Sequence, residues 1–289
     1  MPLTNLEINQ AFEEGRFLRR SWAKLLSAAQ ITVAGTWFDL SMTAGNPVAQ
    51  YYFSTPLRAA ALARSTHGGL DHGPLVAADG YRKFLHGFNI GSNYGPAAPL
   101  TVELLDYLAY WPGIAMDTGV QDLTTDIAIP RWTAARGTRL MVVEQNPYVG
   151  AARSRVTYED QRGQQFTTPT LTCNSTASAG IIATSAAIQV GQSGLFLPMA
   201  DGCAGVARPV SIEFLTTDVG LLALVLVKPI AAFQINEITA PHYYELPRDF
   251  GILPEIQDDA YLNLVVLPAG SSIAYAAIQG DLITLWSPA

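Results

Sequence analysis

The sequence contains few charged residues. Only 14% of its 289 residues are charged, against roughly 25% in a typical soluble domain, and 49% are hydrophobic. Disordered chains have the opposite balance, so we expect most of this chain to be ordered. Such a low charged fraction indicates either a membrane protein or a protein whose surface is largely covered by other protein.

Long hydrophobic runs are missing as well. The most apolar run, Val219–Val227, ends at Lys228 and Pro229, well short of the roughly 20 residues that a spanning helix needs. The first ten residues are polar and acidic and lack the regions of a secretory signal. The two cysteines, Cys173 and Cys203, cannot form a disulfide framework. We therefore expect free thiols in a reducing compartment and no membrane partner.

Basic residues are scarce, and most of them are arginine. A net charge of −7 and a pI near 5 argue against a nucleic-acid partner, which needs a basic footprint. The 17 basic residues divide into 14 Arg and 3 Lys. Arginine is enriched and lysine depleted at protein interfaces, although the codons of a GC-rich genome would produce the same excess. The composition therefore favours a protein-binding surface without requiring one.

Histidines and acids do not follow the spacing of a metal site. His67, Asp71 and His72 lie in a glycine-rich loop, and His86 follows some way on. Neutral imidazoles and a carboxylate suit zinc or iron. However, the spacing is not the His-x-His of jelly-roll oxygenases, and no third ligand is matched to the pair. We predict surface histidines and no bound metal.

Catalytic motifs are also lacking. Gly191–Gly194 resembles a nucleophile elbow only in part and is typical of a hairpin turn. No glycine-rich phosphate-binding motif is present. Asp258 and Asp259 are adjacent, and adjacent acids in a strand point to opposite faces, so they cannot flank one glycosidic bond. We therefore predict a protein that is not an enzyme, with no catalytic residues and no cofactor.

The segment 1–28 is predicted to be a helical docking element. Apolar residues recur over Asn5–Ala28 at mixed spacings of three and four residues, which indicates a helix. Gly15 interrupts the pattern, so two short helices fit as well as one. Because Phe12, Phe17 and Trp22 lie on the apolar face, we expect the segment to dock within the subunit or on a neighbouring one.

The next segment, 29–121, is predicted to be a mixed, loop-rich β region. Ile31–Asp39 alternates with period two, as a strand does, and Gln50–Phe53 is its predicted partner. Leu57–Arg64 suggests a helical turn. Leu100–Tyr110 has helical apolar spacing that ends at Trp111-Pro112-Gly113, yet its residue types also suit a strand.

From residue 122 to 289 the pattern is entirely β. Turn signals separate many short apolar stretches, which indicates a jelly-roll or β-sandwich fold. The predicted strands are Thr125–Pro130, Arg139–Gln145, Arg153–Glu159, Gln165–Thr172, Gly180–Ile188, Val210–Leu215, Leu221–Val227, Ala232–Ile235, Ala260–Leu267 and Ser272–Trp286, the last with a break near Gln279–Asp281. Thr239–Asp259 is predicted to be a long surface loop.

Several stretches resemble structural proteins of tailed-bacteriophage virions. They are Trp37–Met42, Gly45–Pro47, Tyr51–Tyr52, Thr168–Asn174, Asp218–Pro229 and Ala260–Leu264. The resemblance implies a virion protein made in the host cytoplasm, most plausibly a capsid cement (decoration) protein that binds copies of itself and a major capsid protein. A tail or head–tail component is the alternative within that class. The resemblance implies no site residues.

A rival class remains open: a jelly-roll protein that binds or cleaves carbohydrate, since that fold hosts many functions. Aromatic residues around a groove with convergent acids would favour the rival, whereas broad, flat apolar patches would favour the structural role.

Eight residues are candidates for contacts with neighbouring subunits. The aromatic ones lie in the N-terminal segment, and the arginines lie in or beside strand ends, where a side chain reaches outward. Salt bridges within the chain account equally well for any one arginine. The candidates are Phe12, Phe17, Trp22, Arg131, Arg136, Arg153, Arg155 and Arg208.

The predicted absence of a bound metal can be tested by elemental analysis. Protein purified without chelator should contain no stoichiometric zinc, iron or copper. One tightly bound equivalent that disappears when His67 and His72 are replaced would contradict the prediction.

Overall fold

A computed structural model describes residues 3–28, 30–93, 98–117, 119–147, 150–174, 178–185, 194–237, 240–271 and 276–289. Strands account for 48% of the described residues and helices for 9%. The strands form three antiparallel sheets in a β-sandwich-like arrangement, with a short helix at the N-terminus. The predicted fold class, mainly β with an N-terminal helical segment, is confirmed.

Two long strands form the middle of the central sheet. β6 (Leu100–Ala115) pairs with β13 (Leu221–Ile235) along nearly its whole length. Both strands are apolar on both faces, as expected of strands that are covered on both sides. The sheet is completed by β2 (Phe38–Asp39), β4 (Ala60–Ala61), β8 (Arg139–Asn146) and β16 (Leu262–Pro268).

The sequence pattern of Leu100–Tyr110 fits either a helix or a strand. In the structure this segment is a strand, and the strand continues past Trp111-Pro112-Gly113. The pairing register shifts at this point, which marks a β-bulge. Gly113 adopts a φ of 66°, a conformation that glycine reaches without strain. Its N–H donates to Gln145 Oε1 at 2.7 Å. The bulge lets the strand pass through a proline and a glycine that would otherwise end it.

The other two sheets come from different parts of the sequence: the strands of the first sheet precede β6 or follow β13, and those of the third sheet lie between β6 and β13. The first sheet contains β1 (Phe17–Leu25), β3 (Ala44–Asn46), β5 (Tyr81–Ser92), β14 (His242–Glu245), β15 (Glu255–Ile256) and β17 (Ala277–Pro288). The third sheet contains β7 (Gly119–Asp122), β9 (Ala151–Asp160), β10 (Gln165–Thr167), β11 (Leu171–Asn174) and β12 (Val206–Phe214). The α-helices are α1 (Asn5–Glu13), α2 (Arg64–His67) and α3 (Leu246–Phe250).

Three large hydrophobic cores share the central sheet. The first core joins it to the first sheet through Leu104, Phe233 and Leu264 against Trp22, Phe88 and Leu282. The second core joins it to the third sheet through Trp111 and Leu224 against Val156, Tyr158 and Phe214. The third core contains Tyr107, Val225 and Val265 of the central sheet, packed with Tyr52, Leu62, Leu195 and Tyr261.

A buried ion pair joins Asp106 of β6, which lies between Leu104 of the first core and Leu108 of the second, to Arg131, which lies outside the strands. Arg131 donates to both carboxylate oxygens of Asp106, at 2.8 and 3.0 Å, and also to the carbonyls of Leu62 and Tyr107. Trp132 Nε1 donates to the same carboxylate at 2.9 Å. Both charged side chains are almost fully buried. A charge removed from water in this way must be paired and hydrogen-bonded.

The N-terminal prediction is correct for its first half only. α1 spans Asn5–Glu13, with Thr4 and Glu7 forming a capping box. After Gly15, which has a φ of 70°, the chain continues as β1, and all nine residues of β1 pair with β17. The predicted helix over the second half of Asn5–Ala28 is wrong because pairing with β17 both satisfies the backbone and buries Trp22.

Several loops also differ from prediction. Of Ile31–Asp39 only Phe38–Asp39 is in a strand, and Gln50–Phe53 forms none. Leu57–Arg64 contains β4 rather than a helical turn, because Ala60 and Ala61 pair with β6. Thr125–Pro130 forms no strand. Gly180–Ile188 forms only isolated bridges at Ile181 and Ile182, and its last three residues lie outside the described residues.

The C-terminal half follows the predictions more closely. Five predicted strands are confirmed with small shifts of their ends: β8, β9, β12, β13 and β16. Gln165–Thr172 divides into β10 and β11, Ala232–Ile235 is the end of β13, and Thr239–Asp259 holds β14, α3 and β15 rather than one loop.

β17 has no break at Gln279–Asp281. A side chain at Gly280 would place its Cβ 1.8 Å from the carbonyl oxygen of Asn89, so this glycine permits close pairing instead of ending the strand.

The predicted segment boundaries at residues 28 and 121 remain predictions. The first sheet takes strands from all three predicted segments, and the central sheet takes strands from the second and third.

The buried ion pair predicts a large difference between two arginine variants. Arg131→Ala leaves the Asp106 carboxylate buried and unpaired, so we expect the free energy of unfolding to fall by about 3–5 kcal/mol. Arg58→Ala is the matched control, because its pair with Asp126 is exposed and should contribute at most about 1 kcal/mol. Denaturant titration measures both. Equal losses would show that burial of the pair is unimportant.

Candidate functional site

One edge of the first sheet is largely unpaired. β1 pairs with β17 on one side, but on the other side β3 pairs only with Ala23, Lys24 and Leu25. Among the described residues, no strand pairs with Phe17–Trp22 on this second side. The carbonyl of Ala23 faces β3. By the alternation of an antiparallel ladder, the backbone groups of Phe17, Arg19 and Ser21 face the same way. We call Phe17–Trp22 the open edge.

Two predicted contact residues lie together beside the open edge. The rings of Phe12 and Phe17 are 4.8 Å apart between centroids, and Phe12 also packs edge-on against His86 at 5.1 Å. Helix α1 holds Phe12 there, because Ala11 is fully buried against Phe84 and Leu285. Phe12 and Phe17 stay 36% and 41% exposed. The two phenylalanines thus form an apolar surface next to unpaired backbone groups.

Trp22 and Arg131 are not available to a partner, which corrects their prediction as contacts. Trp22 is only 4% exposed and stacks on Phe88 with ring centroids 5.6 Å apart. The guanidinium of Arg131 is buried in its ion pair with Asp106. In both cases the side chain points into the chain's own core, so it cannot reach a neighbouring subunit.

The remaining arginines are at the surface. Arg136 is exposed, and its carbonyl accepts a hydrogen bond from Lys228 Nζ at 2.9 Å. Arg153 and Arg155 are exposed on β9, where alternate residues are buried. Arg208 pairs with Glu159 at 2.8 Å, and Arg155 donates to Thr170 Oγ1 at 3.0 Å.

The structure therefore brings Arg153, Arg155 and Arg208 to one outward face of the third sheet. Glu213 lies directly opposite Arg155 in the pairing register, and Glu159 pairs with Arg208, so charges of both signs alternate across the face.

The residues weighed as metal ligands do not converge. His72 is buried, its Nε2 lies 3.0 Å from the carbonyl of Ala260, and its Nδ1 lies 3.3 Å from Lys83 Nζ. Asp71 pairs with Arg20 and Arg64. Within the described ranges no group of three His, Cys, Asp or Glu residues could hold a metal ion.

The two adjacent acids serve separate loops. Asp258 accepts from the backbone N–H groups of Val76 and Ala77, each at 2.7 Å, and pairs with Lys83. Asp259 accepts from the N–H and hydroxyl of Ser65. Each carboxylate therefore holds a loop in place.

Both cysteines are free thiols. Burial raises the pKa of the Cys173 thiol to about 11, so it stays protonated at neutral pH and acts as a small apolar side chain. Cys203 is partly exposed, and its sulfur lies 3.9 Å from the hydroxyl of Tyr158.

A polar region adjoins α1. A cavity of about 450 Å³ is lined by residues that include Asn5, Asn9, His86, Glu245 and Arg248. His86 Nε2 lies 3.9 Å from Glu245, and burial lowers the pKa of the imidazole. Arg248 is engaged with Glu245 and Asp249. None of the described residues that line this cavity is a nucleophile next to the imidazole.

Comparisons with known proteins assign no family. No protein-family model matches the sequence, and no curated protein matches it. Among solved structures, the chain is similar to one in the structure of infectious bursal disease virus, Gt strain. The identity is 7%, the match covers 95% of this chain and 82% of that chain, and the TM-score is 0.18. At that TM-score the likeness assigns neither fold nor function. None of the helices in the described part of the chain is long and apolar enough to cross a membrane.

The sequence pattern does not predict the open edge. The apolar residues of Asn5–Ala28 have helical spacing, and the edge exists only because β1 pairs with β17 on one side and with the short β3 on the other.

A glutamate in β6 makes stability depend on pH. Burial raises the pKa of Glu103 to about 7, from an ordinary value of 4.5. The folded chain therefore binds an extra proton between these values, and stability should fall as pH rises through this window. Glu103→Gln should remove the loss and stabilise the protein near pH 8 by about 1–2 kcal/mol relative to its effect near pH 4, given partial exposure. Urea titrations at both values measure it. A difference that does not change with pH would contradict the assignment.

Proposed function

We propose that this chain is a non-catalytic structural protein of a virion, and within that class a cement protein that stabilises a capsid shell through protein–protein contacts. The observation that supports the proposal best is the open edge of β1 beside the exposed rings of Phe12 and Phe17.

An unpaired strand edge is a template for another strand, and natural proteins usually cover or blunt such edges. A strand supplied by a partner would add main-chain hydrogen bonds to Phe17, Arg19 and the N–H of Ser21, whose carbonyl already accepts from Asn46 Nδ2 at 3.3 Å. The neighbouring phenylalanines would supply apolar contact area. Arg19 and Arg20 are already paired with Asp281 and Asp71, so the partner need not provide acids. The edge is therefore suited to binding an extended segment of another protein.

The proposed partners are a major capsid protein and other copies of this chain. A cement protein acts at many equivalent positions of one lattice, so each contact need bury only about the standard 1,600 Å² of total area. The outward face of the third sheet, with its alternating charges, offers a second flat surface for neighbours.

The polar residues that could suggest catalysis support the same proposal. Asp106, Asp258, Asp259 and His72 are all hydrogen-bonded inside the chain, where they join loops to sheets. A protein that works by presenting a rigid surface gains from such internal bonds.

The open edge can be tested by substitution. Phe17→Pro removes the ring and an N–H that no described residue pairs with, and proline is tolerated at the first residue of a strand. Phe12→Ala removes the neighbouring ring. Each should lower binding to assembled shells at least about tenfold, a loss of about 1.4 kcal/mol, while the melting temperature changes little. Phe53→Ala, at an aromatic residue that is 83% exposed in a loop away from the edge, is the matched control. Unchanged binding by both edge variants would contradict the proposed contact.

The function itself is tested by imaging purified particles made with and without this chain. Density on the shell surface that disappears in its absence, with lower resistance of the shell to heat, is the expected result. Density confined to the tail would favour a tail or head–tail component instead. No density anywhere in the particle would refute the virion assignment.

A further inference from the structure

The last part of β13 has an outer side that no strand of the described residues covers. β8 pairs with β13 only from Leu221 to Val227. Further along, the hydroxyl of Tyr244 accepts from the backbone N–H of Gln234 at 3.3 Å and donates to its carbonyl. By the alternation of an antiparallel ladder, the N–H and carbonyl of Ala232 point to the same outer side. No described residue bonds them, so this position is free to bond the backbone of another chain.

A groove of about 350 Å³ lies at this position, and aromatic rings form part of its wall. The ring of Tyr244 lies between those of Phe233 and Phe250, with centroids 5.3 and 5.8 Å away. Phe233 is buried in the first core, whereas Phe250 is 45% exposed. The exposed ring can therefore contact an apolar side chain that enters the groove.

A carboxylate without a partner lies next to the groove. Thr101 and Ala232 both line the groove. Glu103 is two residues from Thr101 in β6 and directly opposite Ala232 in the pairing register, so all three side chains share one face of the central sheet. The Cβ atoms of such opposite residues are about 5 Å apart. No described residue bonds the Glu103 carboxylate, and its oxygens are accessible to solvent.

The surroundings of Glu103 favour a positively charged partner. It is half-buried, and its neighbours on this face of the sheet carry no charge. They are Thr101, Leu105, Ala232 and Val265. Burial raises the pKa of the carboxyl to about 7, and no nearby cation opposes the shift. A cation brought to this position would stabilise the ionised form through a charge-assisted hydrogen bond.

We propose that the groove binds an extended segment of a partner protein through a lysine or arginine that pairs with Glu103. The backbone of the segment bonds to Ala232, and the basic side chain passes over the small Ala232 methyl to reach the carboxylate. The side chain of the next residue points to the other face and contacts Phe250. A second copy of this chain, with its net charge of −7, is a poorer match than a basic segment.

This binding is independent of the open edge of β1 and of the proposed virion role, because it uses different strands and different residues. The probe for it is a pentapeptide, Thr-Val-Lys-Val-Thr, acetylated and amidated at its ends. Calorimetry with the whole chain near pH 8 should show saturable binding, and the backbone amide of Ala232 should shift in NMR. The same peptide with glutamate in place of lysine should bind at least about tenfold more weakly.

Glu103→Gln separates binding from folding. The substitution keeps the size of the side chain and removes its charge, and it is expected to stabilise the fold near pH 8. It should nevertheless weaken binding of the lysine peptide at least about tenfold. Glu213→Gln is the matched control, because Glu213 is a half-exposed glutamate in β12 of the third sheet. The control should leave binding unchanged.

The affinity for the lysine peptide should also depend on pH. Because the Glu103 carboxyl has a pKa of about 7 and must be ionised to pair, the affinity should rise about tenfold between pH 6 and pH 8. In Glu103→Gln it should not change over this range. Failure of the lysine peptide to bind, or equal affinity in the parent chain and Glu103→Gln, would overturn the proposal. Sedimentation that shows a dimer which Glu103→Gln dissociates would also overturn it, and would place a second copy in the groove.

Discussion

The pairing of β6 with β13 is the constraint on which the rest of the structure depends. One strand supplies residues to three cores: Leu104 to the first, Leu108 to the second and Tyr107 to the third. Each large apolar side chain buried in this way stabilises the fold by about 1.5–3 kcal/mol. Because the long strands are apolar on both faces, both faces must be covered. The first and second cores share one face, where the first and third sheets pack at its two ends, and the third core covers the other face. The low charged fraction of the chain follows from this demand for buried surface.

Buried polar groups then fix how loops attach to these layers. Asp39 is fully buried and accepts hydrogen bonds from the hydroxyls of Tyr52 and Tyr107, although burial raises the pKa of its carboxyl. Lys24 donates to the carbonyls of Thr43 and Pro47, each at 2.9 Å. Such groups are costly to bury without partners, so each one specifies a particular loop position. Hydrogen bonds from these buried charged groups therefore hold the loops at Thr43, Pro47 and Tyr52 against the sheets.

The sequence predicts the parts of this fold whose pattern is local. Strands β8, β9, β12 and β16 are short stretches, either apolar or alternating, that turn signals bound, and they lie where expected. The N-terminal prediction failed after Gly15, because helical spacing of apolar residues could not reveal that β17, about 260 residues away in sequence, would pair with them. Likewise, Arg131 lies outside any strand, and only the tertiary fold shows that Asp106 pairs with it.

The same limit applies to the candidate sites. Phe12 and Phe17 were found from sequence because they are large apolar residues near a chain end. The open edge beside them depends on strand register, which no local pattern encodes. It comes from the long-range pairing of β1 with β17.

Amide hydrogen exchange can show whether the open edge of β1 is the surface that the protein uses in assembly. Rates would be measured for Phe17, Arg19 and Ser21 in the free chain and in purified particles. In the free chain these amides should exchange quickly, because no described residue accepts from them, and in particles they should become protected. Equal exchange in the two states, with protection elsewhere on the surface, would contradict the account.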